Sequence, residues 1–343
     1  MIQKKLKAAL IGFGEMGRIH AACYAKQKNV ELTAICDIDK KKFEREKETV
    51  NPGGNGKTDT SRAEEYGSFH DLFRNADFDI LDICLPSHLH AEYAVKAMRA
   101  GCHVLCEKPM ARTLAQADRM IRTARETDRK LMTAHCLRFA PNFNQLKEFV
   151  TDKKYGRLLR LDMRRHSNLP KNPWRRNPAK SGGVLLDLHL HDTDYINWLW
   201  GLPEAVQTYG IVRDTGGIDE LMTAYLYKKN GPVVNAEGSW CRGTCFSSVT
   251  AVFQKATVEA IGFNQLMICR EGEETEEIRY DRNSNPYFNE IRYFAECILK
   301  NREPEQCLPR STRDSIRIAA AEERSARTRR KIRLYKSKTD RRQ

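Results

Sequence analysis

The sequence predicts an α/β protein: an amino-terminal, doubly wound parallel sheet, followed by an α+β domain built on an open, mostly antiparallel sheet. Up to about residue 134, short apolar strands alternate with helical stretches, which is typical of parallel strands joined by crossover helices. From about residue 157 the predicted strands mostly follow one another, as they do in antiparallel sheets. The length of 343 residues also favours two domains over one small core.

Each strand of the first domain is a short apolar run followed by a helical pattern. The predicted strands are 7–11, 31–36, 79–85, 103–106 and 131–134. The predicted helices run from the glycines after the first strand to about residue 28, and over 40–48, 90–100 and 113–127. A surface loop with the sequence NPGGNGKTDTSR, at 51–62, interrupts the series.

The second domain is expected to contain six strands, one helix among them and two closing helices. The strands are 157–166, 205–212, 219–227, 232–240, 247–253 and 256–261, and the helices are 184–200, 287–299 and 311–328. Turn residues such as Lys229-Asn230-Gly231 separate some of the strands. We therefore expect a first domain over 1–138, a second over 139–335 and a basic tail over 336–343.

Composition argues against several classes of protein. The formal net charge is +14, and much of it lies in the final RSARTRRKIRLYKSKTDRRQ. Nucleic-acid binding is one interpretation of this charge, and a solvated helix and tail is the interpretation that we favour. There is no run of about 18 apolar residues, so no membrane span is expected. The basic and apolar start is broken by glycines and is not expected to be a secretion signal. Eleven cysteines without a repeated spacing are typical of reduced thiols in a cytoplasmic protein.

The motif G-F-G-E-M-G predicts a nucleotide site, because it follows a strand and opens a helix, and Asp37 ends the next strand. This context is the fingerprint of the dinucleotide-binding Rossmann fold. Gly12 permits the tight turn, Gly14 lets the pyrophosphate approach, and Gly17 lets helix and strand pack closely. Asp37 can bind ribose hydroxyls and would repel a 2′-phosphate, so we expect NAD, while the lysines at 40–42 keep NADP as an alternative. A tight turn without a ligand is the other interpretation of the motif.

A second informative stretch, H-V-L-C-E-K-P-M, follows a strand of the parallel sheet. Ligands of such folds bind at this edge. A lysine in a partly desolvated cleft can have a lowered pKa, which suits it to proton transfer. Lys108 is therefore a candidate catalytic residue, aimed by the turn that Pro109 fixes.

The sequence resembles the glucose–fructose oxidoreductase / inositol dehydrogenase / MocA family of NAD(P)-dependent oxidoreductases, nearly from end to end. The stretches that carry the resemblance are G-F-G-E-M-G-R-I-H, D-I-C-L-P-S-H-L-H, C-E-K-P-M, L-R-F-A-P, G-G-V-L-L-D-L-H-L-H-D, N-P-Y-F-N-E-I and E-R-S-A-R-T. The E-K-P and D-x-x-x-H motifs together are quite specific. The resemblance implies a Rossmann domain, a second open-sheet domain, and assembly as homodimers or homotetramers.

The resemblance also implies which residues hold the cofactor. They are Gly12, Gly14, Glu15, Met16, Gly17, Asp37, Pro86, Ser87, His90, Glu107, Lys108 and Arg138. Pro86, Ser87 and His90 are expected near the nicotinamide ribose. Glu107 is expected beside the cofactor, and Arg138 near it. His90 is explained equally well as a residue at the start of a helix.

The stretch G-V-L-L-D-L-H-L-H-D has two interpretations. In a helix, Asp187 and His191 share a face at i and i+4, and His189 points elsewhere. In a strand, all three side chains would share a face and resemble a metal site. The apolar spacing of the following T-D-Y-I-N-W-L-W favours the helix, so no metal is expected.

The resemblance turns this stretch into a hypothesis about chemistry, since the residues that match Asp187 and His191 join the E-K-P lysine at the substrate in that family. The substrate would be a small molecule, a sugar or cyclic polyol whose secondary alcohol exchanges a hydride with NAD. His191 would take the alcohol proton, Asp187 would orient it or the lysine, and Lys108 would stabilise charge on the reacting oxygen.

Three residues bear on the substrate with less specificity. Trp174 and Arg175 either line the pocket or simply pack, and His189 stands where many family members have glycine, which predicts a bulkier pocket wall. Two other functions stay open. One is an NAD- and sugar-binding regulator without turnover, and the other is a redox-neutral cleavage of glycosides through transient oxidation.

Overall fold

The computed structural model of the chain describes residues 5–44, 60, 62–240, 243, 245–281 and 284–334. It divides into two compact units, residues 1–140 with 281–313 and residues 141–280 with 314–343. The domain bounds predicted from the sequence placed residues 281–313 in the second domain, whereas this segment belongs to the first unit. Most of the loop predicted at 51–62 and the whole tail predicted at 336–343 lie outside the described residues.

The strands and helices follow the predicted order, with several short additions. The strands are β1 (Leu6–Ile11), β2 (Val30–Cys36), β3 (Glu64–Tyr66), β4 (Ile80–Ile83), β5 (His103–Glu107), β6 (Leu131–Ala134), β7 (Leu158–His166), β8 (Ala205–Val212), β9 (Ile218–Leu226), β10 (Val233–Ser239), β11 (Phe246–Phe253), β12 (Thr257–Ile261), β13 (Gln265–Cys269), β14 (Glu276–Arg279) and β15 (Ile332–Arg333). The α-helices are α1 (Glu15–Tyr24), α2 (Lys41–Glu44), α3 (Phe69–Asn75), α4 (His90–Arg99), α5 (Leu114–Glu126), α6 (Pro141–Thr151), α7 (Pro173–Arg176), α8 (Pro178–Ser181), α9 (Leu190–Trp200), α10 (Pro286–Leu299) and α11 (Pro309–Thr328).

The first unit is built on a six-stranded sheet in the order β3-β2-β1-β4-β5-β6, with every pair parallel. This is the doubly wound arrangement that the alternation of strands and helices predicts. The strand order reverses between β1 and β4, and ligands of such sheets bind beyond the carboxyl ends of the strands at that point.

Helix α10 explains why residues 281–313 belong to the first unit. Its Ile291 and Phe294 are buried in the same apolar core as Leu10 and Phe13 of the amino-terminal segment and Leu105 of β5. Burying two large side chains stabilises this docking by several kcal/mol, at about 1.5–3 kcal/mol per side chain.

The second unit is built on a nine-stranded sheet in the order β14-β13-β12-β11-β7-β10-β9-β8-β15. Its pairs are antiparallel except β7 with β10, so the prediction of a mostly antiparallel sheet is confirmed. A π-helical turn at Leu185–His189 packs on β10, and α9, which continues it, packs on β7. Leu185 of this turn shares a buried core with Leu221 and Trp240. Among the described residues, no helix is both long enough and apolar enough to cross a membrane.

Candidate functional site

The three glycines of the turn after β1 have different surroundings: two are in close contact with the protein backbone, and one faces open space. Gly12 has φ +92°, and a Cβ there would lie 2.5 Å from the carbonyl oxygen of Cys84. A Cβ on Gly17 would lie 2.1 Å from the Gly12 carbonyl oxygen. A Cβ on Gly14 would meet no protein atom within 4 Å. Gly12 and Gly17 are therefore required by the fold, whereas the surface at Gly14 is open, as close approach of a pyrophosphate demands.

Helix α1 begins at this open surface. Glu15, which is exposed, and Met16, which is partly exposed, form its first turn. The amides of a first turn have no partner inside the helix, and here the hydrogen bond from Arg18 N to Gly14 O follows them. Amides so placed, together with the positive end of the helix dipole, bind phosphate oxygens. The glycine turn and α1 thus fit the pyrophosphate of a dinucleotide.

Asp37 lies at the end of β2 and is held in place from three directions. Its Oδ2 accepts hydrogen bonds from Phe13 N and from Lys42 Nζ, each at 2.8 Å, and its Oδ1 accepts one from Asp39 N at 2.9 Å. The residue is only 6% exposed. The carboxylate therefore ties the glycine turn to β2, and the Lys42 ammonium group offsets part of its charge, which the sequence alone did not show.

Lys108 sits in a turn whose main chain is fixed on both sides. The Lys108–Pro109 peptide bond is cis. The backbone N–H of Lys108 donates to Glu107 Oε2 at 2.9 Å. The two ring nitrogens of His90 lie 2.7 Å from the carbonyl oxygens of Pro109 and Leu85, so this buried ring joins the loops that follow β4 and β5. The Lys108 residue itself is partly exposed.

Pro86, Ser87 and Arg138, which were expected near the cofactor, lie in different surroundings. Pro86 and Ser87 begin the short 3-10 turn after β4, and Ser87 is buried. Arg138, expected near the cofactor, is fully buried, and its guanidinium donates to Gln306 O at 3.1 Å and to Ser311 Oγ at 3.0 Å. The structure therefore gives Arg138 contacts that hold residues 306–311 in the first unit, and contact with a ligand does not follow from its position.

The second unit carries the other candidate residues on and beside the π-helical turn. Asp187 lies inside this turn and is 6% exposed, and His191 lies in the first turn of α9 and is partly exposed. Arg175, on the four-residue helix α7, donates from Nε and Nη2 to Asp187 Oδ2 at 2.9 and 2.5 Å. Trp174 on the same helix is partly exposed. π-Helical turns are rare and are often found at functional sites.

The position of His189 differs from the prediction of a pocket wall. Its ring is fully buried, and its Nε2 lies 3.1 Å from Tyr225 Oη and 3.3 Å from Glu322 Oε1. On its other side the ring is so close to β10 that a Cβ on Gly238 would lie 3.0 Å from it. A ring enclosed by protein on both sides cannot line a pocket, so His189 anchors the π-helical turn to the sheet and to α11.

The helical conformation of this segment also rules out the strand interpretation, in which His189 and His191 would share a metal. Within the described residues, His, Cys, Asp and Glu side chains close enough to share an ion are grouped around His20 instead. His20 and Glu290 belong to motifs that the sequence shows, G-F-G-E-M-G-R-I-H and N-P-Y-F-N-E-I, but sequence reasoning assigned no role to either residue.

Comparison with known proteins agrees with this geometry. Residues 6–135 match the model of an oxidoreductase family with an NAD-binding Rossmann fold, and residues 143–259 match the carboxyl-terminal domain of the same family. D-glucoside 3-dehydrogenase of Escherichia coli is 30% identical over 213 residues, which are 59% of this chain and 56% of that protein. Myo-inositol 2-dehydrogenase of Thermotoga maritima is 31% identical over 198 residues, 57% and 55% of the two chains. The matched segment thus spans about half the length of these curated relatives.

A solved structure covers nearly the whole fold. The aldose-aldose oxidoreductase of Caulobacter crescentus, crystallised with glycerol, has a TM-score of 0.83 and 25% identity, covering 96% of this chain and all of that one. Together the two family models match most of the sequence, and they include the glycine turn, the Lys108 turn and the π-helical segment. The resemblance seen in the sequence is confirmed, and the chain belongs to the Gfo/Idh/MocA family of oxidoreductases, with an NAD-binding Rossmann unit at its amino terminus.

Proposed function

We propose that this protein is an NAD-dependent oxidoreductase that transfers a hydride between a secondary alcohol of a sugar or cyclic polyol and the nicotinamide. The observation that carries the proposal is the Lys108 turn, fixed by Glu107 and His90 at the carboxyl edge of a sheet whose glycine turn fits a pyrophosphate. The relatives named as glucoside and inositol dehydrogenases support the substrate class.

The chemistry divides between the bound cofactor and the side chains of the chain. Bound NAD supplies the carbon that accepts or returns the hydride. In the oxidative direction His191 accepts the proton of the alcohol, and the Lys108 ammonium group donates a hydrogen bond to the same oxygen and stabilises its charge. Asp187, which two N–H groups of Arg175 hold in place, is proposed to orient His191 for this proton transfer. Trp174 and Arg175 are the side chains that we propose to read the remaining hydroxyl or acid groups.

NAD is proposed as the preferred cofactor because the Asp37 carboxylate, at the end of β2, can accept from ribose hydroxyls and would repel a 2′-phosphate. The Lys42 ammonium group beside it weakens that repulsion without removing it. A carboxylate that accepts from both ribose hydroxyls loses the 2′-hydroxyl bond with NADP, so we expect a clear preference for NAD. Because the Lys42 ammonium group is adjacent, we do not expect the preference to be absolute.

A homo-oligomer is proposed from the uncovered face of the nine-stranded sheet. Tyr209, Met222, Leu226 and Val233 are large apolar side chains on that face and are each more than a third exposed, and Tyr209 is paired in register with Met222. Apolar side chains concentrated on one uncovered face are typical of subunit interfaces. Light scattering of the protein and of Met222→Arg tests this: we expect a dimer or tetramer that the substitution weakens, and a monomeric wild type contradicts it. The cytoplasm is the compartment that we propose, since none of the ten described cysteines forms a disulfide.

The deciding experiment offers NAD, and NADP in parallel, with a panel of inositols, aldoses, sugar acids and amino sugars, and follows NADH by absorbance. Lys108→Ala, Lys108→Met and His191→Asn are the test variants. Turnover that prefers NAD and falls by roughly 100-fold or more in each variant supports the proposal. Tight NAD binding without turnover on the whole panel would favour a regulator. Glycoside cleavage without net NADH would favour the redox-neutral reaction.

A further inference from the structure

Four buried ionisable side chains meet inside the first unit. His20 comes from α1, Asp82 from β4, Glu107 from the end of β5, and Glu290 from α10. None of the four side chains is more than 7% exposed. A single imidazole and three carboxyl groups therefore share one region from which water is largely excluded.

His20 bonds to two of these carboxyl groups through opposite sides of its ring. Its Nδ1 lies 2.8 Å from Asp82 Oδ2, and its Nε2 lies 3.1 Å from Glu107 Oε1. Ionised carboxylates only accept hydrogen bonds, so a ring that donates to both carries a proton on each nitrogen. Burial is the largest single effect and disfavours the charged ring, but the neighbouring groups, Asp82 first among them, together outweigh it and hold the pKa of His20 well above its ordinary value.

Glu290 is the fourth member of the cluster, and its carboxyl group differs from the other two in protonation state. Its Oε1 lies 4.0 Å from His20 Nε2, and within the described part of the chain neither carboxyl oxygen has a hydrogen-bond partner. Burial, together with the nearby carboxylates of Glu107 and Asp82, raises the pKa of Glu290 well above its ordinary value. One imidazolium already faces two carboxylates, so a third negative charge here would be uncompensated and the neutral acid is favoured. Within the described residues, the other titratable groups beside His20 include Cys23, Tyr24, Cys84 and Tyr287.

The cluster reaches the proposed catalytic lysine through Glu107. One oxygen of this carboxylate accepts from the His20 ring, and the other accepts from the backbone N–H of Lys108 at 2.9 Å. The ring that orients Glu107 belongs to α1, the helix whose amino terminus fits the pyrophosphate. The path from α1 to the lysine turn therefore consists of two hydrogen bonds with one side chain between them.

We propose that His20 is a positioning residue that acts as an imidazolium: it orients Glu107, which fixes the Lys108 turn, and neutral Glu290 permits this cation to be buried among three carboxyl groups. This inference rests on the catalytic role proposed for Lys108. The protonation states themselves are independent of that role and can be measured without a substrate.

The first measurement is therefore spectroscopic, on the full-length protein with NAD. Histidine labelled with nitrogen-15 reports the protonation of each ring nitrogen by long-range NMR correlation, and the signal of His20 is assigned by its loss in His20→Asn. We expect both ring nitrogens to remain protonated at pH 8, about 1.5 units above the ordinary pKa of histidine. A neutral ring at pH 7 would overturn the proposal, whatever the enzyme proves to catalyse.

Two carboxyl variants separate the roles of the neighbours. Glu107→Gln keeps the shape and an acceptor for Lys108 N–H but removes a charge from His20, so the ring should lose its proton at a pH lower by about one unit or more. Glu290→Gln replaces a neutral acid by a neutral amide, so the ring should stay doubly protonated. Loss of that protonation in Glu290→Gln, or one tightly bound divalent cation per chain by elemental analysis, would show an ionised Glu290 and overturn the assignment.

Kinetics then tests positioning. His20→Asn should lower kcat by roughly 10- to 100-fold while the Kd for NAD changes much less, because the lysine turn moves and the pyrophosphate surface does not. His20→Ala with added imidazole offers a rescue that a merely structural loss would not show. If His20→Asn keeps full kcat while Lys108→Ala is inactive, the positioning role is wrong and the catalytic role of Lys108 stands. If Lys108→Ala keeps full activity, the proposed function itself fails.

Discussion

Arg175 binds Asp187 through two N–H groups that converge on one carboxylate oxygen, Oδ2. The pair joins the short helix α7 to the π-helical turn that precedes α9. Asp187 is nearly buried, and the Arg175 side chain is 32% exposed. A charge-assisted contact of this kind fixes the orientation of the carboxylate. It is the reason to assign proton acceptance to His191 and a positioning role to Asp187.

Arg175→Ala should lower kcat/KM by roughly 10- to 100-fold, because it removes the two N–H contacts that hold Asp187 Oδ2 and join α7 to the π-helical turn. Arg175→Lys should recover only part of the loss, since a single ammonium group cannot form the same pair of N–H contacts. Arg176→Ala, an exposed change on the same helix, is the matched control. Equal losses of kcat/KM in Arg175→Ala and Arg176→Ala would mean that the positive charge of α7 matters and that the contact of Arg175 with Asp187 does not.

Asp37 and Lys42 give a test of cofactor selection. Asp37→Ser should weaken NAD and improve NADP, changing the ratio of their kcat/KM values by roughly 10- to 100-fold, because the repulsive carboxylate is lost while the Lys42 ammonium group remains for a 2′-phosphate. Adding Lys42→Ala should remove the gain with NADP. Asp39→Ser, on an exposed neighbour, controls for charge. An unchanged ratio in Asp37→Ser would remove Asp37 from ribose recognition.

Gly14→Ala separates binding from folding. A Cβ at this position meets no protein atom within 4 Å, and the backbone φ of −83° suits any residue, so the melting temperature without NAD should stay near that of the wild type. The Kd for NAD should rise by roughly tenfold or more, because the methyl group occupies the surface that the pyrophosphate approaches. Gly12→Ala is the contrasting variant and should destabilise the protein itself, since φ is +92° and the Cys84 carbonyl oxygen is 2.5 Å away. Wild-type NAD affinity in Gly14→Ala would contradict this reading of the turn.

The first unit could be predicted from the sequence almost strand by strand, because buried parallel strands are short apolar runs. β6 has the predicted bounds, and β1 and β5 differ from them by one residue at one end. The strand that was missed, β3, is three residues long and partly exposed, so it has no apolar run to reveal it. The docking of α10 on the first unit was also missed, since an amphipathic pattern shows that a helix packs but not on which sheet.

The candidate site was harder to predict where contacts join distant segments. The spacing of the glycines predicts a turn, because the positive φ and the close backbone contacts of that turn require glycine. The contact of Arg175 with Asp187 has no such signal, and neither has the burial of His189 against Glu322, 133 residues away. The apolar spacing of the T-D-Y-I-N-W-L-W stretch after Asp192 predicted a helix. It did not predict the π-helical turn before that helix, because the extra residue in such a turn is accommodated by tertiary packing, which the sequence does not show.

His103, at the start of β5, gives a pH dependence whose sign can be worked out. Its Nδ1 accepts a hydrogen bond from Lys130 N at 2.9 Å, so this nitrogen carries no proton and the ring is neutral. Burial, with a smaller contribution from Arg129, lowers the pKa of His103 from 6.5 to about 4. A lowered pKa means that the unfolded chain binds the proton more readily, so the stabilising contribution is complete above pH 6.5 and is lost as the pH falls towards 4. The full shift corresponds to about 3 kcal/mol, which solvent screening of this partly exposed ring reduces to about 1–2 kcal/mol.

His103→Asn isolates this contribution, since the amide oxygen of asparagine can take the place of Nδ1 as acceptor but does not titrate. The free energy of unfolding, measured in urea at pH 7 and pH 4.5, should fall less in the variant than in the wild type by about 1 kcal/mol. At pH 7 the two proteins should differ little if the hydrogen bond to Lys130 N is kept. His70→Asn is the matched control, because it makes the same substitution at a side chain that is 74% exposed. Parallel losses in wild type and His103→Asn would show that this ring titrates alike in the folded and unfolded chains, which would contradict a pKa lowered by folding.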